Sequence, residues 1–177
     1  ARAGRPRGQS ERRDRGQSIG AVRGKGGRRP HEVGYDAGKK VKGVKHHILV
    51  DTLGLLLDVV VHHAGIQDRD GIRLLLTKKT RALFPFIEVI FADAAYQGQP
   101  TAQAVGQAGT WRLAIVKRCD HAKSFVVLPK RWIVERTLAW LTRCRRLVRN
   151  YEHRIQTVVA FIRLAMIRLM LRRLSRQ

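Results

Sequence analysis

The sequence is short of acid. Its 177 residues hold 13 Asp and Glu against 36 Lys and Arg, for a formal net charge of +23 and a pI of about 11.6. Charge of that size opposes compaction and favours a polyanion partner. Nucleic acid is the obvious one, with an anionic membrane surface and a ribosomal site as rivals. Cysteine is also scarce. Cys119 and Cys144 form no CxxC or other metal-ligand pair, which fits free thiols in a reducing compartment. No run of about 18 or more apolar residues exists. The most apolar stretch, "FIRLAMIRLMLRRL", is broken by Arg163, Arg168, Arg172 and Arg173, which argues for an amphipathic helix over a membrane span. The first residues are polar and arginine-rich, unlike a secretory leader. These shortages together give the expectation of a soluble, cytoplasmic, strongly basic protein with no membrane partner.

What is present is unevenly spread. Residues 1–33 are dominated by Arg and Gly, with no aromatic residue and no apolar period. Such a segment buries too little surface to offset its ordering entropy, so it is expected to be disordered alone. From residue 34 the texture changes. "HHILVDT" and "LLLDVVVHHA" read as two strands of a hairpin turning at Leu53-Gly54. Residues 68–83 read as one helix, with acids at its start, cations at its end and Pro85 stopping it. Residues 87–93 read as a buried strand, 99–108 as a short helix closed by Gly109, and 111–118 as another strand. A helix is expected from Pro129 to about Asn150, and a last one over 155–174 with Ile155, Val158, Ile162, Met166 and Leu169 on one face. The order predicts an α/β layer fold. The 87–93 and 111–118 strands are expected beside the hairpin. One more strand before the hairpin would complete a nuclease-type sheet, and none is visible in the sequence.

The few carboxylates then carry weight. Asp93 ends the strand "IEVIFAD", and beyond it the only acids are Asp120, Glu135 and Glu152. Taken singly, Glu135 reads as a salt-bridge member among Lys130, Arg131 and Arg136, and Asp93 as a strand-end cap. As a pair they suggest more. Ligands of α/β sheets gather beyond the carboxyl ends of strands. A helix carboxylate beside Asp93 would make a site for Mg²⁺, which takes a few carboxylates plus phosphate oxygens and water. Arginines around it would hold phosphates. The pairs His46-His47 and His62-His63 cannot chelate as pairs, because neighbours on a strand face opposite ways. Asp51 and Asp58 flank the hairpin turn and read as serving it, and Asp36 reads as a loop residue.

The stretches "GYDAGKKVKGVKHHILVDTLGLLLDVVVHHAGIQDRDG", "IFADAAYQG", "AIVKR", "FVVLPKRWIVERTLAWL" and "AMIRLMLRRL" occur in order over residues 34–174. In them the chain resembles bacterial insertion-sequence transposases of the insertion-sequence-five type, whose catalytic domain is similar to ribonuclease H and uses an Asp-Asp-Glu triad with Mg²⁺ or Mn²⁺. The resemblance puts the second Asp on Asp93 and the Glu on Glu135, with Arg131 matching a family arginine. Ala95 replaces the usual glycine, and Leu128 and Thr142 stand where relatives place a tyrosine and a lysine. The first Asp has no clear match. Alignment gives Ser18 its place, and a one-residue shift offers Asp14. The resemblance therefore implies a ribonuclease H-like mixed sheet over 34–177 lacking its first strand, in a chain truncated or frame-shifted at its amino end. It implies DNA partners (insertion-sequence ends and target), with a homodimer as an open arrangement, near the bacterial nucleoid. Lys117, Lys130, Arg131, Arg136, Arg143, Arg145, Arg146 and Arg149 are the candidate DNA contacts. The implied activity is metal-dependent strand cleavage and transfer. The rival readings are a non-catalytic DNA-binding remnant and an RNA-associated basic protein.

Overall fold

The computed structural model describes residues 16–25, 34–37, 40–116, 130–149 and 151–176. Six strands form one mixed sheet: β1 (Gly16–Lys25), β2 (Gly34–Asp36), β3 (Val41–Val50), β4 (Leu56–His63), β5 (Val89–Asp93) and β6 (Arg112–Val116). The helices are α1 (Asp68–Leu75), α2 (Lys78–Leu83), α3 (Gln99–Ala108), α4 (Arg131–Thr142), α5 (Arg145–Val148) and α6 (Ile155–Leu174).

β1 corrects the expectation that the sheet lacks its first strand. Residues 16–25, expected to be disordered, pair antiparallel with β3 from Ser18↔Val50 to Lys25↔Gly43 and parallel with β5 from Gly16↔Val89 to Ile19↔Ala92. β1 thus separates the hairpin from β5, where the sequence pattern sets them side by side. β6 follows β5 in parallel, and β4 and the short β2 share the far edge of β3. The physical reason is context. Strand preference measures fit to neighbours more than an intrinsic tendency, and here β3 and β5 each present an edge to β1.

Alternation along β3 sorts its side chains into two cores. Leu49 joins Ile72, Leu75, Ile90, Ala92, Tyr96 and Trp111 under α1 and α3. Val44, Ile48 and Val50 join Val59 and Val61 with Ile133, Val134 and Leu141 of α4 and Val158, Ile162 and Met166 of α6. The sheet is therefore sandwiched between helices.

Two expected helices are each split. Thr77 stops the 68–83 pattern after one segment and starts another. Its hydroxyl accepts from the Thr80 amide at 3.3 Å, and the Thr80 hydroxyl reaches back to the Thr77 amide at 3.4 Å. α4 likewise ends at Thr142, and Cys144 precedes the single turn of α5. Gly109 closes α3, and α6 occupies 155–174, both as expected.

The hairpin turn is fixed from two sides. Asp51 Oδ1 accepts from the amides of Leu53 at 2.9 Å and Leu55 at 2.7 Å. Gly54 has φ +76°, and a Cβ there would press on Thr137 and Trp140 of α4. Thr137 donates to the Gly54 carbonyl at 2.7 Å, clamping the turn to α4. Asp58 accepts from the Val59 amide and lies 3.6 Å from Arg163 of α6, so it ties β4 to a helix more than it serves the turn. Asp36 is also no loop residue. It ends β2, and its carboxylate lies 3.0 Å from the ammonium of buried Lys45, which also reaches Asp68 at 2.9 Å and the Ile66 carbonyl at 2.6 Å.

Gly71 shows how tightly α1 lies on β3. A Cβ at that position would overlap the buried ring of His47. Gly71→Ala is expected to cost about 1–3 kcal/mol, the usual scale of overpacking, in urea unfolding. In a His47→Ala background most of that cost should vanish, and a cost that persists there would place the strain elsewhere.

Candidate functional site

Asp93 closes β5. Its Oδ1 accepts from the Ala95 amide at 3.0 Å and so caps the 3-10 turn Ala94–Tyr96. Ile90 and Ala92 point into the α1/α3 core, so alternation puts Phe91 and Asp93 on the opposite face, toward α4. The start of α4 lies there. Lys130, its N-cap, takes a left-handed φ of 67°, and its ammonium sits 3.9 Å from the centre of the Phe91 ring. A lysine held in that sparsely populated region needs its surroundings to fix it, and the cation–ring contact is one such tie. Glu135 is the fifth residue of α4, about 6 Å up the helix from Arg131 by the 1.5 Å rise per residue. It is exposed, while Ile133, Val134 and Thr137 are buried. The fold thus turns Asp93 toward α4, and α4 carries Glu135 from its beginning.

The expected first carboxylate has a place in this sheet. Ser18 is level with Phe91 and Ile19 with Ala92, so Gly20 follows Ile19 as Asp93 follows Ala92. Positions 18 and 20 belong to the Asp93 face. β1 reads GQSIGAVRGK and contains no Asp or Glu. Asp14 and Lys117 lie outside the described residues. Among the described residues, no group of three or more His, Cys, Asp or Glu is arranged to hold a metal ion.

The candidate DNA contacts divide by what they touch. Arg143, Arg145 and Arg149 are exposed. Arg146 pairs with Glu152 at 2.8 Å and lies over Phe161. Arg136 turns inward. It donates to the Leu53 carbonyl at 2.8 Å and lies between Trp132 at 4.3 Å and Trp140 at 4.8 Å. Arg173 of α6 covers Trp140 at 4.5 Å and also approaches the Leu53 carbonyl. Burial, and then the neighbouring Arg173, lower the Arg136 pKa, while Asp51 opposes them. Arg131 opens α4.

The model of a transposase DDE domain matches residues 12–170 of this chain. The chain belongs to that family. A curated relative, "Putative transposase for insertion sequence element IS402" from Burkholderia cepacia, is 31% identical over 129 residues, covering 69% of this chain. The chain spans about 60% of that relative's length. A looser likeness links it to the cryo-EM structure of the piggyBac transposase synaptic complex with hairpin DNA. There the identity is 19%, the TM-score 0.36, and the coverage 63% of this chain and 24% of that one. No helix among the described residues is long and apolar enough to cross a membrane.

Three histidines of this transposase domain, His46, His47 and His62, are interior. His47 shares a 2.8 Å hydrogen bond with the Tyr96 hydroxyl and stacks on His62 with ring centres 4.8 Å apart. His46 faces the other core. The Nε2 atoms of all three are buried without a hydrogen-bond partner. Burial first, and then the charge of His62, lower the pKa of both His46 and His47 from 6.5 to about 4. Sequence reading missed the inward role of Arg136, although Trp132, Arg136 and Trp140 recur at the i, i+4 spacing that stacks side chains on one helix face.

The inward arginine and the buried histidines each have a measurable consequence. Arg136→Ala should lower stability by about 1.5–3 kcal/mol, as for a lost hydrogen bond from a charged group, yet leave the salt dependence of DNA binding nearly unchanged. The histidines predict acid sensitivity. Their folded pKa lies below the unfolded value, so the unfolded chain binds more protons between about pH 6.5 and 4, and stability falls as pH drops through that window. Urea midpoints should decline from pH 7 to pH 5, above the main carboxylate range, and His46→Leu should flatten the decline.

Proposed function

We propose that this chain is the DNA-binding core of a transposase of the insertion-sequence-five type, on a ribonuclease H-like sheet, in which the metal-holding carboxylates are incomplete. The strand order β4-β3-β1-β5-β6 supports the fold reading, with β1, β3 and β4 antiparallel and β1, β5 and β6 parallel. β1 supplies the strand that the nuclease arrangement required. The substrates would be insertion-sequence ends and target DNA in the bacterial cytoplasm, held chiefly through phosphates by the exposed arginines.

In the family's chemistry, Mg²⁺ or Mn²⁺ would be held by two Asp and one Glu. Asp93 and Glu135 are the two donors this chain offers on the α4 face. Among the described residues the third is wanting, because the strand beside Asp93 is free of acid and carries positions 18 and 20 on that face. The described donors do not by themselves fit a metal pair, and they support no cleavage step. The acid-free β1 is the observation that carries this reading. What the chain's own residues can do is bind and orient the phosphate backbone, with Lys130 fixed over Phe91 at the edge of the Asp93 site.

The test combines binding with cleavage. The chain should bind duplex DNA with an affinity that falls steeply with KCl, prefer it to RNA, and leave supercoiled plasmid intact in Mg²⁺ or Mn²⁺. Asp93→Asn should not weaken binding. Adding the absent donor, as Ser18→Asp or Gly20→Asp, should produce a Mn²⁺-dependent rise in melting temperature that Asp93→Asn removes. Metal-dependent nicking by the unaltered chain, lost in Asp93→Asn and Glu135→Gln, would overturn the proposal.

A further inference from the structure

A groove of about 380 Å³ opens between the carboxyl end of α4 and the carboxyl half of α6. Five arginines line it: Arg143, Arg168, Arg172, Arg173 and Arg176. Its other walls are apolar or aromatic, apart from the Cys144 thiol, and among the described residues no carboxylate lines it. The end of a helix accounts for part of this. Cations in the last turn offset the helix dipole, which covers Arg172 and Arg173. The same holds for Arg143, the C-cap of α4. It does not explain Arg168, a full turn before Arg172, or Arg176, which lies beyond the C-cap of α6.

Gathering five guanidinium groups around one concavity is unfavourable unless an anion offsets their repulsion. Two features make the anion a chain of phosphates. The first is shape. Arg168 and Arg172 are one turn apart, about 6 Å by helical rise, and Arg176 continues past the helix end, so the charges form a line. A DNA strand carries one phosphate per about 3.4 Å of axis, so such a line spans several of them. The second is order. Arg173 is already fixed, over Trp140 at 4.5 Å, so at least one donor is held before a ligand arrives. We infer that the α4/α6 groove is a second DNA-backbone site, remote from Asp93. The 12 residues of α4, about 18 Å of helix, separate it from the Lys130 end. It would hold one strand of duplex DNA without reading its bases, because guanidinium contacts to phosphate carry no sequence information. This rests on the proposal that the chain binds DNA.

Cys144 makes the test local. In the full chain carrying Cys119→Ser, Cys144 should react with a maleimide more slowly when a duplex is bound. Arg168, Arg172 and Arg176 are exposed, so the triple alanine variant should fold. In that variant the slope of log affinity against log salt should shrink by about 2–3, at roughly 0.9 for each phosphate no longer neutralised. The triple lysine variant keeps the charge and should keep the slope. If the unaltered chain binds duplex DNA but Cys144 reacts at the same rate and the alanine variant keeps the slope, the groove is not the site and the DNA proposal survives. If the unaltered chain binds no duplex DNA, or only RNA protects Cys144, both readings fall.

Discussion

The sheet is joined through β1. On one side it pairs antiparallel with β3, and through β3 with β4 and β2. On the other it pairs parallel with β5, and through β5 with β6. Without it the hairpin and the β5–β6 pair would share no hydrogen-bond ladder, and each would present an open edge. The register of β1 therefore decides which side chains from the two halves of the sheet come level. A one-residue slip would carry the Asp93 face to the opposite side of β1. The position of Asp93 relative to everything before residue 51 is set by a strand whose only apolar side chains are those of Ile19, Ala21 and Val22.

That weakness explains why the first strand is hard to read from sequence. Its glycines, arginine and lysine match the pattern of an unstructured basic segment, and local composition cannot report two neighbouring edges. Elsewhere local pattern is enough. The hairpin, β5, α3 and α6 all carry their own period and their own stops, such as Gly54 and Gly109. The breaks at Thr77 and Cys144 are hidden because the apolar period runs through them, and a reciprocal threonine cap or a single turn outweighs it. Asp93 stands out as a strand-end carboxylate. Its cap on Ala95 and its outlook toward α4 need the paired strands. Asp36 and Lys45 are illegible locally, because a buried lysine with two carboxylates depends on three segments meeting: β2, β3 and the start of α1.

The same distinction sorts the positive charge. A net charge of +23 reads from composition as one undivided attraction for phosphate, but the fold places some of it inside. Lys45 is buried with Asp36 and Asp68. Arg136 is stacked between tryptophans and bonded to the hairpin turn. On the surface, Arg146 pairs with Glu152 and Arg163 lies 3.6 Å from Asp58, so part of the exposed charge is also offset locally. Removing Lys45 or Arg136 would first disturb packing, because a cation stacked or paired at an interface contributes through contact as well as charge. Among the described residues, four exposed arginines, Arg143, Arg168, Arg172 and Arg176, line the α4/α6 groove beside the stacked Arg173.

α4 then links the two regions. Its first turns stand over the Asp93 face through Lys130 and Phe91, its middle is clamped to the hairpin through Thr137 and Arg136, and its last residues form one wall of the arginine groove. A helix fixed at its middle cannot shift at one end without shifting at the other. DNA held along it would meet phosphate-binding groups at the groove end and two carboxylates at the other. Carboxylates repel a phosphate backbone unless a cation lies between them. On the proposed reading, with β1 free of acid, the balance at that end falls to Lys130, the cation held over Phe91. On that reading the arrangement favours holding DNA over cutting it, with the sheet and helices around Asp93 in place.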